Sequence, residues 1–416
     1  MLLIKGAQDS IKILSSGKFQ IPKHKWKKLL QENKGGEITM TVFTKKGENW
    51  EKYKPFRITI APEPIDPYLA YRLIEPGYAA WHKMGIYQRN IEGFHESAIY
   101  ENKMSNYNCV NCHSFCMQNP DYMLFHIRGG LNSGTPLIRE GKIEMLNTKA
   151  DTAHTPLIYP SWHPSGKYVA FSVNKIRQAF YANNKDRVEV YDMKSDVVVY
   201  DLEEEQVLTS PHLSSKDAFE TFPSFSPDGK TLYFCSARAV TMPEKFDSVK
   251  YSLCSVSFDP ERKTFGEKTD TIYNAVTSGG SATFPRVSPD GKFLMYTVSE
   301  FGNFHIWHKE ADLCLVDLEN GKNIDMHKVN SNDVESYHSW SSNSRWFIFS
   351  SRRIDGLYTR PYIAYLDKTG KAGKAFLLPQ KDPDYYKRLM KSYNIPEMIK
   401  GKVNVSNYKL VSRTRL

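Results

Sequence analysis

The residues best suited to chemistry stand together at Cys109-Val110-Asn111-Cys112-His113. CxxCH is the attachment pattern of c-type haem. Two thiols at this spacing add to the two vinyl groups of one macrocycle, and the next histidine offers its imidazole to the iron. On this reading Cys109, Cys112 and His113 hold haem c. The sixth ligand is then sought among His126, Met117 and Met123, with Met104 ahead of the motif; a methionine ligand raises the reduction potential. The same cluster admits other chemistry. With Cys116 as a third thiolate and His113 or His126 as a fourth ligand it makes a zinc or iron–sulfur set, although no second CxxC completes the usual two pairs. As a redox dithiol, Cys109 and Cys112 lack a surrounding βαβ unit. A disulfide of Cys109 or Cys112 with Cys116 needs no cofactor. His126 lies in an apolar run, where a core histidine is the plainer reading. Cys235, Cys254 and Cys314 fall in strand-like runs and read as small packing groups.

What must position the cluster is a repeat. Four segments align at intervals of about sixty residues: YPSWHPSGKYVAFSVN from Tyr159, FPSFSPDGKTLYFCSA from Phe222, FPRVSPDGKFLMYTVS from Phe284 and YHSWSSNSRWFIFSSR from Tyr337. Each reads as a hairpin. An aromatic residue enters a short strand, Pro-Asp-Gly or its variant makes the turn with glycine at positive φ, and an apolar strand follows. Further strand-like runs follow each hairpin, such as Val197–Leu202, Tyr251–Val256, Asp312–Asp317 and Tyr362–Asp367. Four strands per unit is the content of a propeller blade, and such a sheet must pack against others around an axis. Residues 123–128, 135–138 and 142–146 supply a degenerate further blade, and 403–405 with 408–411 are candidate closing strands. The expectation is an all-β chain: a β-propeller of five or six blades over 123–416, four of them legible.

The first 64 residues have a different pattern. Strand-like runs at 9–14, 37–43 and 56–60 enclose a short helix from Pro22 to Glu32, which predicts a small β-sandwich-like domain. It ends in the proline-dense 62–67. Residues 65–122 then read as a connecting segment, with Tyr68, Tyr71, Arg72, Tyr78, Trp81, Tyr87 and Arg89 clustered in it and the CxxCH at its end.

The hairpins resemble the TolB-type repeat, a WD-repeat-like propeller unit with the pattern F-P-x-[aromatic]-S-P-D-G-K. The match is closest at 222–236 and 284–299, good at 159–174 and weak at 337–352, where Asn343-Ser344-Arg345 replaces Asp-Gly-Lys. The segments Tyr71–Tyr78, Met84–Arg89 and Asn108–Phe115 resemble a group of Bacteroidetes-type cell-envelope proteins with TolB-like propellers, commonly labelled cytochrome c biosynthesis proteins. That resemblance implies a periplasmic or cell-surface location and a leader ahead of this chain. The label itself implies no reaction.

The net charge of +10 is spread along the sequence, so a solvated basic surface is expected and no nucleic-acid partner. No apolar run is long enough to span a membrane. Two functions remain in contention. The first is electron transfer or haem-linked partner binding. The second is a non-catalytic envelope scaffold that takes a periplasmic or outer-membrane protein, or a glycan, on loop residues such as Trp307, His308, Arg352 and Arg353. A hydrolase is the poorer alternative: Gly279-Gly280-Ser281-Ala282-Thr283 misses the nucleophile elbow at its last position, and Asp217, Glu220, Glu300 and Glu335 are its candidate channel acids.

Overall fold

The computed structural model describes residues 1–75, 83–129, 133–146, 157–181, 188–406, 409–410 and 412. Tyr78 and Trp81 lie outside these, as do Tyr408 and Val411 of the candidate closing strand. The chain divides into two compact units, Met1–Ile65 and Asp66–Leu416.

In the first unit, strands Leu2–Lys5, Ser10–Ile13, Glu37–Lys46, Asn49–Lys52 and Phe56–Thr59 form one antiparallel sheet. In place of a second sheet, the helix Lys23–Glu32 lays Leu29 and Trp26 against Leu2, Ile4, Ile11 and Ile38. The apolar face of one sheet is too large to leave wet, and one amphipathic helix suffices to cover it. The expected sandwich is therefore a helix-covered sheet.

The second unit is a propeller. Among the described residues it has six antiparallel four-stranded sheets. Blade two is Cys109–Phe115, Tyr122–Arg128, Thr135–Arg139 and Lys142–Leu146. Blade three is Leu157–Trp162, Tyr168–Phe180, Val188–Asp201 and Gln206–Leu208. Blade four is Ala218–Phe225, Thr231–Arg238, Ser252–Asp259 and Thr264–Tyr273. Blade five is Ser281–Val287, Phe293–Ser299, Asp312–Asp317 and Asn323–Ile324. Blade six is Glu335–Trp340, Trp346–Ser351, Arg360–Tyr365 and Phe376–Leu377. Blade one takes its inner strand, Ser392–Ile399, from the C-terminal region and its other three, Tyr68–Ile74, Gly85–Asn90 and Glu96–Glu101, from the N-terminal side. Each inner strand packs on the next, and Ser392–Ile399 packs on the inner strands of both blades six and two, closing the circle. The closing strand thus lies upstream of 403–405, which forms no strand.

Residues 65–122 do not connect domains; they hold three strands of blade one and the inner strand of blade two. The cysteine motif is that inner strand.

The Pro-Asp-Gly turns repeat one device. Ser226 donates its hydroxyl to Asp228 (2.5 Å), and Asp228 accepts the N–H of Lys230 (3.0 Å). Ser288 with Asp290 and Ser341 with Asn343 do the same at 2.6 Å. Asn343 therefore keeps the weak fourth repeat in register. Ser344 takes the glycine's left-handed position there, at φ 63°.

Candidate functional site: an axial chamber

All six inner strands break register at one equivalent place, where two residues oppose one on the second strand. The first residue of each bulge lies in the left-handed region: Cys112 (φ 52°), Tyr159 (52°), Phe222 (50°), Phe284 (53°), Tyr337 (51°) and Ile395 (46°). The residues opposite are Phe125, Phe171, Phe234, Tyr296, Phe349 and Tyr71, all buried aromatics. Positive φ is unfavourable for such side chains. It is maintained because the bulge turns them inward to plug the axis. Phe222 packs on Phe284 at 4.1 Å between centroids and Tyr159 on Phe222 at 4.6 Å, both tilted, and Phe284 meets Tyr337 edge to face at 5.1 Å.

The second bulge residue is Pro160, Pro223, Pro285 or Pro396 in four blades. In the other two it is His113 and His338. Cys112-His113 of the motif therefore occupies the position of the repeat's aromatic-proline pair. Cys112-His113-Ser114-Phe115 aligns with Phe222-Pro223-Ser224-Phe225, a signal present in the sequence and hidden by the CxxCH spacing.

Beneath the ring lies a small chamber. Its walls include Cys112, His113, Arg286 and His338, and its roof is Tyr159, Phe284 and Tyr337. Glu397 stands beside it on blade one, its Oε1 3.6 Å from His113 Nε2. His338 donates Nε2–H to the Met295 carbonyl (3.1 Å), which leaves Nδ1 as a bare acceptor. Both ring nitrogens of His113 and Oε1 of Glu397 are buried without hydrogen-bond partners. Burial holds both imidazoles neutral, His113 down to about 3 with Arg72 adding to the effect, and His338 to about 3 with Arg286 adding. Burial likewise raises the Glu397 carboxyl to about 8, opposed by Arg286. Arg286, whose Nη1 donates to the Pro285 carbonyl, is the chamber's fixed positive charge.

The other expected site residues are dispersed. Cys109 leaves its strand away from the chamber, its Sγ 3.9 Å from the Arg72 guanidinium. Cys116 is buried against the His163 carbonyl (3.7 Å). His126, on the second strand, bonds Thr135 through Nδ1 (3.0 Å). Met123 is in the core between blades one and two with Met104 at its edge, and Met117 sits half-exposed in a turn. All six cysteines are free thiols. Among the described residues, no three of His, Cys, Asp or Glu converge as metal ligands.

The two motif thiols do not share the chamber. Both thioether bonds must reach one macrocycle, yet Cys112 lines the chamber and Cys109 does not. Cys109 and Cys112 are 2% and 6% exposed, Cys109 on a paired stretch of the inner strand and Cys112 at its bulge. Of the residues expected to dock partners, His308 and Arg352 are buried and Trp307 and Arg353 half-buried. His308 is buried on Glu189 (2.9 Å), Arg352 stacks on Trp307 at 3.6 Å, and Arg353 pairs with the buried Glu335 (2.7 Å). Glu220 is buried as well.

No family model and no curated protein matches this chain. Among solved structures it is similar to a hypothetical selenium-binding protein from Sulfolobus tokodaii (11% identity, 90% of this chain and 92% of that one, TM-score 0.46). It is also similar to an oligogalacturonate lyase in complex with manganese (11%, 76% and 75%, TM-score 0.40) and to a mutant Synechocystis apocarotenoid oxygenase (11%, 84% and 86%, TM-score 0.38). The class of the second unit, a six-bladed β-propeller, rests on its own strand pairing.

Proposed function

We propose that the propeller is a non-catalytic binding protein whose axial chamber takes a small polar anion carrying hydroxyl or amine donors, such as a hydroxycarboxylate. The observation that carries this reading is the set of unpartnered buried atoms around one cavity. The bare acceptor of His338 and the two nitrogens of His113 border a space lined also by Arg286, with Oε1 of Glu397 beside His113. Buried polar groups are ordinarily satisfied, so four such atoms at one cavity mark a place for a ligand. With Glu397 protonated at neutral pH, the charge of Arg286 is left for an anion to meet.

Isothermal titration with a panel of small hydroxycarboxylates and inorganic phosphate tests this reading. Saturable binding is expected, weakened about ten- to a hundredfold by Arg286→Gln and reduced by His338→Leu. Equal binding by the wild type and Arg286→Gln would refute it. So would protein carrying haem after expression beside a cytochrome c maturation system.

A further inference from the structure

A second site lies apart from the chamber, at the start of the long outer half of blade three's hairpin. Asp192 sits there opposite a register break at Lys175 and Ile176. Its Oδ2 accepts three hydrogen bonds: from Tyr251 Oη (2.9 Å), Asn174 Nδ2 (3.1 Å) and Asn303 Nδ2 (3.2 Å). Its Oδ1 accepts no bond of ordinary geometry, with the Ser195 hydroxyl beside the carboxylate, and neither does Oδ1 of Asn174 or Oδ1 of Asn303. Each amide has turned its nitrogen to the carboxylate, which leaves its own oxygen unsatisfied. All three side chains are more than nine-tenths buried. Asp192 makes no ion pair with Lys, Arg or His among the described residues. The nearby His308 is committed to Glu189, Nε2 to Oε2 2.9 Å.

Asp192, Asn303, Tyr251 and Glu189 line one small cavity. Two buried, unpartnered amide oxygens beside a carboxylate with no cationic partner call for a positive charge. The ligand set is oxygen only, so the ion is hard. One uncompensated carboxylate with neutral amide oxygens balances one positive charge, whereas calcium sites draw on more carboxylates and six to eight oxygens. We infer that this pocket binds a single alkali cation, sodium or potassium, through Asp192 and Asn303, which line it, with Asn174 holding the carboxylate. The ion ties blade three to the loops of blades four and five that supply Tyr251 and Asn303.

Thermal unfolding in NaCl or KCl, with choline chloride holding ionic strength constant, tests the assignment. The melting temperature is expected to rise saturably by about 2–4 °C with Na⁺ or K⁺. The rise should vanish in Asp192→Asn and require higher salt in Asn303→Leu. Crystals of the wild-type protein soaked in thallous ion, a potassium mimic, should show anomalous density at Asp192 whether or not the variants fold. A melting temperature indifferent to replacing Na⁺ or K⁺ with choline would overturn the inference. So would a response retained in Asp192→Asn, stabilisation by Ca²⁺ alone, or the absence of a thallium peak.

Discussion

His113 Nε2 and Glu397 Oε1 face each other at 3.6 Å across the seam where the inner strand of blade two meets that of blade one. The separation is too long for a hydrogen bond, and both atoms lack any other partner. Burial depresses the imidazole and raises the carboxyl, so near neutrality two uncharged groups meet here and not an ion pair. An acid from the closing strand thus stands beside a histidine from the cysteine motif at the chamber.

Stability should depend on the Glu397 proton. Its carboxyl is raised from 4.5 to about 8 by burial. The folded state then holds a proton that the unfolded chain gives up above about 4.5. This contribution is full below the unfolded value and is lost as pH rises through about 8. Glu397→Gln, which mimics the protonated acid, should match the wild type at pH 5 and melt several degrees higher at pH 8.5. Glu220, raised to about 7 by burial, gives a residual slope of the same sign. Melting curves across this range check the prediction. Parallel curves for the two proteins would show that Glu397 is ionised throughout.

The motif thiols should be inert in the native protein. Cys109 and Cys112 are buried, and burial raises the Cys112 thiol despite Arg72 and Arg128 nearby. Iodoacetamide should leave both unmodified under native conditions and label both in guanidinium, as read by peptide mass spectrometry. Rapid native labelling of Cys112 would place it at an accessible surface.

The axial plug should matter to stability more than any one blade's surface. Phe284 touches Phe222 and Tyr337 within the ring. Phe284→Ala should cost about 3–5 kcal/mol in urea unfolding. A cost below about 1 kcal/mol would mean that the ring does not bear on the packing of the blades.

Closure should be indispensable. The strand Ser392–Ile399 pairs with Tyr68–Ile74 and completes blade one. Ending the chain at Lys391 exposes the edge of Tyr68–Ile74, an open template for aggregation. The shortened protein should elute as aggregate and lose its cooperative melt. A monodisperse, cooperatively melting product would show that five full blades hold without the seam.

Much of the fold was legible because the repeat is a local code. Ser-Pro-Asp-Gly-Lys writes its own turn through Ser226 and Asp228, and the apolar strand after it announces the second strand. Blades one and two escaped full recognition because their turns lack that code. Their aromatic markers, Tyr71 and Phe125, stand in short runs with no Pro-Asp-Gly before them. The placement of the cysteines was hidden for a related reason. CxxCH is defined by spacing, but on an inner strand that spacing with a bulge sends Cys112 to the axis and Cys109 toward Arg72.

Strand content, the hairpins of blades three to six and a separate N-terminal unit are written locally, because turn chemistry and alternation act over a few residues. Ring closure is what makes Ser392–Ile399 the last strand of blade one, sets Cys112-His113 in the place of an aromatic-proline pair, and gathers His113, Arg286 and His338 at one chamber with Glu397 beside them. These four come from the inner strands of four blades. Their meeting is a property of the closed ring, which no local stretch of chain encodes.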